Sequence, residues 1–223
     1  MAYNEENIKI ELLNESQISQ NDNFINFKLI ILGDSGVGKS SLLKRAVQNK
    51  FDGSYQATLG FEFLLMHFQV NELKIKLQIW DTCGQEMYRS LIQGFYRNTS
   101  LAIVVYDIHN KESYDALEIW VKDIKQHTEP DLPIIIIGNK LDLNREVPYE
   151  DAKIFATSNR AKYFTECSAK TGQNVNDIFF EASKFLYKAY NNFKSKNIIT
   201  PASGKLKIGD NNDFLTPKSK GCC

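Results

Sequence analysis

Gly33-Asp34-Ser35-Gly36-Val37-Gly38-Lys39-Ser40 constrains this chain more than any other run in it. It fits the pattern G-x-x-x-x-G-K-[ST], and its flanks meet the demands of such a loop. Phe27-Lys28-Leu29-Ile30-Ile31-Leu32 before it is an apolar run of strand length, and Ser40 to Gln48 after it reads as a helix. Glycines let the backbone wrap around an anion at dihedrals that a side chain obstructs. The N–H groups of the loop and the start of the helix then point at phosphate oxygens. Ser35, Gly36, Val37, Gly38, Lys39 and Ser40 therefore form a candidate phosphate cradle. Lys39 is expected to reach the outer phosphates and the Ser40 hydroxyl to ligate Mg²⁺. A glycine-rich turn that matched by accident would lack the strand and helix on either side. The loop does not choose the base.

The rest of the chain alternates. Gly60 to Val70 and Leu73 to Trp80 are alternating segments either side of Asn71-Glu72, the pattern of a hairpin. Leu101 to Tyr106 and Ile134 to Gly138 are aliphatic runs, as in strands of a parallel sheet buried on both faces. Ser113 to His127 has helical spacing, with Leu117, Trp120, Val121 and Ile124 on one face. Tyr149 to Ser158 and Asn174 to Tyr190 read as helices, with a short strand at Tyr163 to Cys167 between them. The expected fold is α/β, a P-loop NTPase: a doubly wound, six-stranded, mostly parallel sheet with one antiparallel strand and helices on both faces. Residues 1–26 are expected as a disordered extension, 27–190 as the nucleotide domain and 191–223 as a flexible tail.

The 223 residues carry no net formal charge, so no broad pull toward nucleic acid is expected. The balance conceals an asymmetry. Residues 1–26 hold Glu5, Glu6, Glu11, Glu15 and Asp22 against Lys9 alone, whereas residues 191–223 hold six lysines against Asp210 and Asp213. No stretch approaches the roughly 18 apolar residues that span a bilayer. The first residues lack a signal-peptide pattern, and Ala2 stands where myristoylation needs glycine. Four scattered cysteines favour a reducing compartment over a disulfide scaffold.

The base is addressed by Asn139-Lys140-Leu141-Asp142, directly after an aliphatic strand and at the edge where open α/β sheets bind ligands. A carboxylate there accepts from the ring N–H and exocyclic amine of guanine together, a pair adenine does not offer. Ser168-Ala169-Lys170, beyond the next strand, closes the same pocket. Asp81-Thr82-Cys83-Gly84-Gln85 ends another strand. Asp81 suits an indirect contact to Mg²⁺, the Gly84 N–H a γ-phosphate and Gln85 the orientation of a water. Thr58 offers a second hydroxyl to the metal. Taken singly, each of these is an ordinary loop residue; the set and its order carry the reading.

GDSGVGKS, ATLGFEF, WDTCGQE, GNKLD and ECSAK stand in the order and at the spacing of the Ras superfamily. Over about residues 27–190, and in its terminal cysteines, the chain resembles a Rab-type small GTPase. The resemblance implies a GTP hydrolase, slow without an activating protein, that cycles between GTP and GDP forms on membranes in vesicle-mediated transport. It adds Ser41, Phe51, Asp52 and Tyr55 to the nucleotide contacts, with Phe51 edge-on to the guanine. It makes Phe63, Trp80 and Phe95 an aromatic triad for effectors; their plainer reading is hydrophobic core. It implies double prenylation of Cys222 and Cys223, a monomer, and exchange-factor, activating-protein, GDP-dissociation-inhibitor and effector partners. YQATLGFEF and RSLIQGFYR resemble the sixth, Golgi-acting Rab subfamily. Two positions depart from the pattern: Cys83 stands where alanine is usual and Met87 where arginine is usual.

Two rival readings remain at this point. A P-loop kinase using ATP would need a lid and an acceptor-binding segment, neither evident here. A scaffold that binds GTP without turning it over would share the whole site.

Overall fold

The computed structural model describes residues 8–53, 61–82 and 93–198, apart from the side chains of Gln93 and 196–198. The described strands are β1 (Ile10–Leu13), β2 (Phe24–Leu32), β3 (Phe61–Val70), β4 (Leu73–Thr82), β5 (Leu101–Asp107), β6 (Ile134–Asn139) and β7 (Tyr163–Glu166). The described α-helices are α1 (Lys39–Gln48), α2 (Lys111–Asp115), α3 (Leu117–His127), α4 (Tyr149–Ser158) and α5 (Val175–Ile198). The described strands form one sheet in the order β1-β3-β4-β2-β5-β6-β7. β2 pairs in parallel with β4 and β5, and β5–β6 and β6–β7 are parallel as well. β3 pairs antiparallel with both β4 and β1, so it is the one strand running against the others.

The aliphatic runs are aliphatic because both of their faces are covered. Leu29 and Ile31 of β2 join a core with Leu42 and Leu43 of α1 and Ile178 and Phe179 of α5. The intervening Ile30 and Leu32 join a second core with Trp120, Val121 and Ile124 of α3 and Ala152 of α4. Every residue of β5 and β6 is buried. Alternate side chains of one strand thus enter opposite layers, as the period of two requires.

The sheet has seven strands rather than six, and the extra strand comes from the segment expected to be disordered. Ile8, Ile10 and Leu12 alternate with polar residues and pack, partly buried, on the α1–α5 core. β1 registers Ile10 against Val70 and Leu13 against His67, covering part of an edge that would otherwise be bare. Asn71, in the hairpin turn at φ 50°, fastens it. Its Oδ1 accepts the Lys9 N–H at 2.9 Å and its own N–H donates to the Lys9 carbonyl at 3.0 Å. Asp22, at the return into β2, pairs with Lys74 at 2.7 Å.

Other boundaries shift modestly. The helix expected from Ser113 begins at Lys111, where Asn110 caps it by accepting the Ser113 N–H at 2.8 Å, and it is interrupted at Ala116. The last helix runs to Ile198, so helix continues into the segment expected to be a flexible tail. By internal contacts the chain divides into 1–189 and 190–223. No described helix is long and apolar enough to cross a membrane.

Candidate nucleotide-binding site

The carboxyl ends of β2, β4 and β6 and the loop after β7 carry polar residues singled out in the sequence, and the end of β5 adds Asp107. The phosphate loop leaves β2 through Gly33, at φ 137°, where a Cβ would lie 2.1 Å from the Val105 carbonyl oxygen. Gly38, at φ 95°, begins α1, and a Cβ there would lie 2.4 Å from Asn139 Nδ2. Only glycine meets both conditions. Between them Val37 is buried while Ser35 and Gly36 face out. The Lys39 ammonium folds back over the loop, donating to the Gly33 and Asp34 carbonyls at 2.7 and 2.8 Å. Lys39 is only 6% exposed, its charge held by these two backbone carbonyls.

Asp81, at the end of β4, is fully buried and accepts a short hydrogen bond from the Ser40 hydroxyl on Oδ2. Its Oδ1 is buried with no hydrogen-bond partner among the described residues. Burial pushes its carboxyl up to about 6, against the Ser40 hydrogen bond and the charge of Lys39. An orphaned carboxylate oxygen beside a hydroxyl is a hard-oxygen donor set that fits a divalent cation such as Mg²⁺. No cluster of three or more His, Cys, Asp or Glu ligands exists among the described residues. Phosphate oxygens and waters would complete such a sphere, as Mg²⁺ prefers.

Asn139 joins the two halves of the site. Its Nδ2 donates to the Val37 carbonyl at 2.8 Å, and its Oδ1 accepts the Ala169 N–H at 3.1 Å. The side chain is 1% exposed and ties phosphate loop to base loop. Lys140, at φ 68°, pairs with Asp107 at 2.6 Å. Asp142 accepts from the Ser168 hydroxyl at 2.5 Å and lies 3.6 Å from the Lys170 ammonium. Burial alone pushes the Asp142 carboxyl up; Ser168, its own backbone and Lys170 outweigh that and hold it below the usual carboxylate range. A charged, oriented acceptor results.

Beneath the base loops, Arg145 grips Glu166 through two nitrogens at 2.6 and 2.5 Å. Tyr106 donates to the same carboxylate at 3.4 Å. Ser41 lies on α1, and Phe51 and Asp52 are exposed beyond its end. Phe63, Trp80 and Phe95 do meet: Trp80 is 5.0 Å from Phe63 and 5.2 Å from Phe95, ring centre to ring centre. Phe63 is 44% exposed, so the cluster is a surface as well as packing.

Tyr55, Thr58, Cys83, Gly84, Gln85, Met87, Cys222 and Cys223 lie outside the described residues. Several contacts to the site were not foreseen in the sequence, the Lys140–Asp107 pair among them. The Trp120 indole N–H donates to Asp34 of the phosphate loop at 2.7 Å, and Arg45 of α1 donates to the base loop. Trp120 is legible only as one of four core positions of α3, and Arg45 only as a polar position on α1.

The Ras family model matches residues 28–188. The chain is 38% identical over 208 residues to the Ras-related protein Rab-5A of Dictyostelium discoideum, spanning 92% of this chain and 100% of that one. It is 36% identical over 203 residues to the Ras-related protein RABA1g of Arabidopsis thaliana, spanning 88% and 93%. RABA1c of the same plant is 38% identical over 204 residues, with the same coverage.

Proposed function

Because this chain belongs to the Ras family, as a Rab-type small GTPase and hence a GTP hydrolase, we propose that it cycles between an effector-recruiting GTP form and an inactive GDP form on endomembranes, in vesicle-mediated transport. The observation that carries the guanine assignment is the Asp142 carboxylate, oriented by Ser168 and Lys170 next to the phosphate loop. Its two oxygens suit the ring N–H and exocyclic amine of guanine, and a site built for that pair rejects adenine. Phe51, 37% exposed where α1 gives way to the next segment, offers a ring edge to the same base. Asp52 and Tyr55 extend those contacts toward the ribose side.

Mg²⁺ bound with the nucleotide supplies positive charge against the developing negative charge on the phosphates. Ser40 and Thr58 would hold it directly and Asp81 beside them, a role that the orphaned Asp81 oxygen supports. Lys39, freed from the Gly33 and Asp34 carbonyls, serves the β- and γ-phosphates. Gly84 donates its N–H to the γ-phosphate and Gln85 orients the attacking water. The phosphate loop itself brings no arginine, so hydrolysis is slow alone, and an arginine from an activating protein accelerates it by about 10³–10⁵. Loss of the γ-phosphate removes the Thr58 and Gly84 contacts, and the segments that carry them, around residues 51–60 and 84–93, relax.

Phe63, Trp80 and Phe95 receive effectors in the GTP form. Cys222 and Cys223 carry two prenyl chains, since a single chain anchors only marginally. A GDP-dissociation inhibitor holds the cytosolic pool. YQATLGFEF and RSLIQGFYR point to Golgi or related endomembrane vesicles as the site of action. Competition of GTP, GDP, ATP and ADP for the purified, Mg²⁺-supplied protein tests the core of this reading, and an absence of guanine preference refutes it. Single-turnover phosphate release then separates a GTPase from a non-hydrolysing scaffold, and Gln85→Leu should slow that release sharply.

A further inference from the structure

One side chain links the phosphate-binding helix to the base pocket, and neither motif includes it. Arg45, half-buried in the last turn of α1, donates through Nε to the Ala169 carbonyl at 2.8 Å. Its Nη2 donates to the Lys170 carbonyl at 2.6 Å. Nη1 donates to the carbonyl and the side-chain oxygen of Asn49 at 3.0 and 3.1 Å, closing the end of its own helix. The guanidinium therefore spends donors on three residues, two of them 124 and 125 positions away. A planar fork with fixed donor directions can hold two successive carbonyls at a set distance and angle. Its stem runs beside Gly172, at φ 88°, where a Cβ would come 3.7 Å from Arg45 Cδ.

The held tripeptide is the one that orients the base acceptor. Ser168 and Lys170 address the two oxygens of Asp142, one each, while the Ala169 N–H occupies Asn139. Displacing the Ala169 and Lys170 carbonyls therefore turns the Asp142 carboxylate. We propose that Arg45 is a positioning residue for base selection, fixing the 168–170 loop so that both Asp142 oxygens meet guanine. The inference rests on the guanine reading of that pocket. It predicts a base-dependent effect, because guanine engages both oxygens whereas hypoxanthine, lacking the 2-amino group, engages one. A residue that merely capped α1 would change stability without changing that difference.

The experiment uses the full chain with Mg²⁺ and compares the parent with Arg45→Met, which keeps the stem, and Arg45→Lys, which keeps the charge without the fork. Affinities for GDP, GTP and IDP are measured by competition, and thermal melts confirm folding. The parent should prefer GDP to IDP, and Arg45→Met should shrink that preference about tenfold, the scale of one lost charged hydrogen bond. GDP and GTP should weaken by a common factor, since the phosphate contacts are untouched, and Arg45→Lys should fall between. A folded Arg45→Met with the parental GDP:IDP ratio overturns the proposal and leaves Arg45 a helix cap. A much larger loss for GTP than for GDP also overturns it, by moving the effect to the phosphate loop. Should Arg45→Met not fold, Arg45→Lys decides on the same ratio. A parent without preference for guanine over adenine nucleotides is a separate failure, that of the pocket reading itself.

Discussion

Replacing Asn139 by alanine tests whether the phosphate loop and the base loop are one site. The side chain is 1% exposed and makes a 2.8 Å bond to the Val37 carbonyl and a 3.1 Å bond from the Ala169 N–H. Alanine removes both and leaves a buried carbonyl and a buried N–H without those partners. Each stranded group costs about 1–3 kcal/mol, so partial relaxation around the gap leaves a loss of about 3 kcal/mol. For a domain of this size that is a melting temperature roughly 6–12 °C lower. The two stranded groups sit in the phosphate loop and the base loop, so on the proposed reading GDP affinity should fall by about tenfold or more as well. Thermal unfolding of the GDP-loaded protein and GDP competition read the two effects separately. A variant melting within about 2 °C of the parent, on the scale of experimental scatter, and binding GDP equally well would refute the coupling. A large stability loss with unchanged affinity would show Asn139 to be scaffold only.

Gly33→Ala should abolish nucleotide binding and strongly destabilise the fold, because the new Cβ would lie 2.1 Å from the Val105 carbonyl oxygen at a φ of 137°; recovery of soluble, GDP-binding protein would contradict it. Ile10→Asp with Leu12→Asp should detach β1 and cost about 3 kcal/mol in urea unfolding, from lost partial burial of two large aliphatic side chains. An unchanged midpoint would mean that the added strand contributes nothing. Burial, aided by the charge of Lys76, holds His67 below its ordinary value, so the native protein binds fewer protons there than the unfolded chain. This contribution to stability is therefore lost as pH falls through about 6.5, and His67→Phe should flatten that part of the pH profile. Parallel profiles for parent and variant would rule His67 out.

The order of most strands and helices and the glycine loop between β2 and α1 were legible in the sequence because their signals are local. Gly33 to Ser40 announces its own backbone geometry, and the aliphatic runs at 101–106 and 134–138 announce burial on two faces. Asn139 and Asp142 were legible by place, following a buried strand downstream of the loop. β1 was not, although Ile8, Ile10 and Leu12 alternate as a strand should. Five residues of alternation amid Asn, Gln and Glu carry little weight until a partner edge exists, and that edge, His67 to Val70, lies far along the chain. The Trp120–Asp34 bond and the Arg45 fork escape for the same reason. A tryptophan on an apolar helix face and an arginine on a helix look alike in any chain. Their donors acquire meaning only when folding brings carboxylates and carbonyls far away in sequence within 3 Å. Local patterning determined which backbone shapes could form, while long-range packing decided which polar atoms those shapes would have to satisfy.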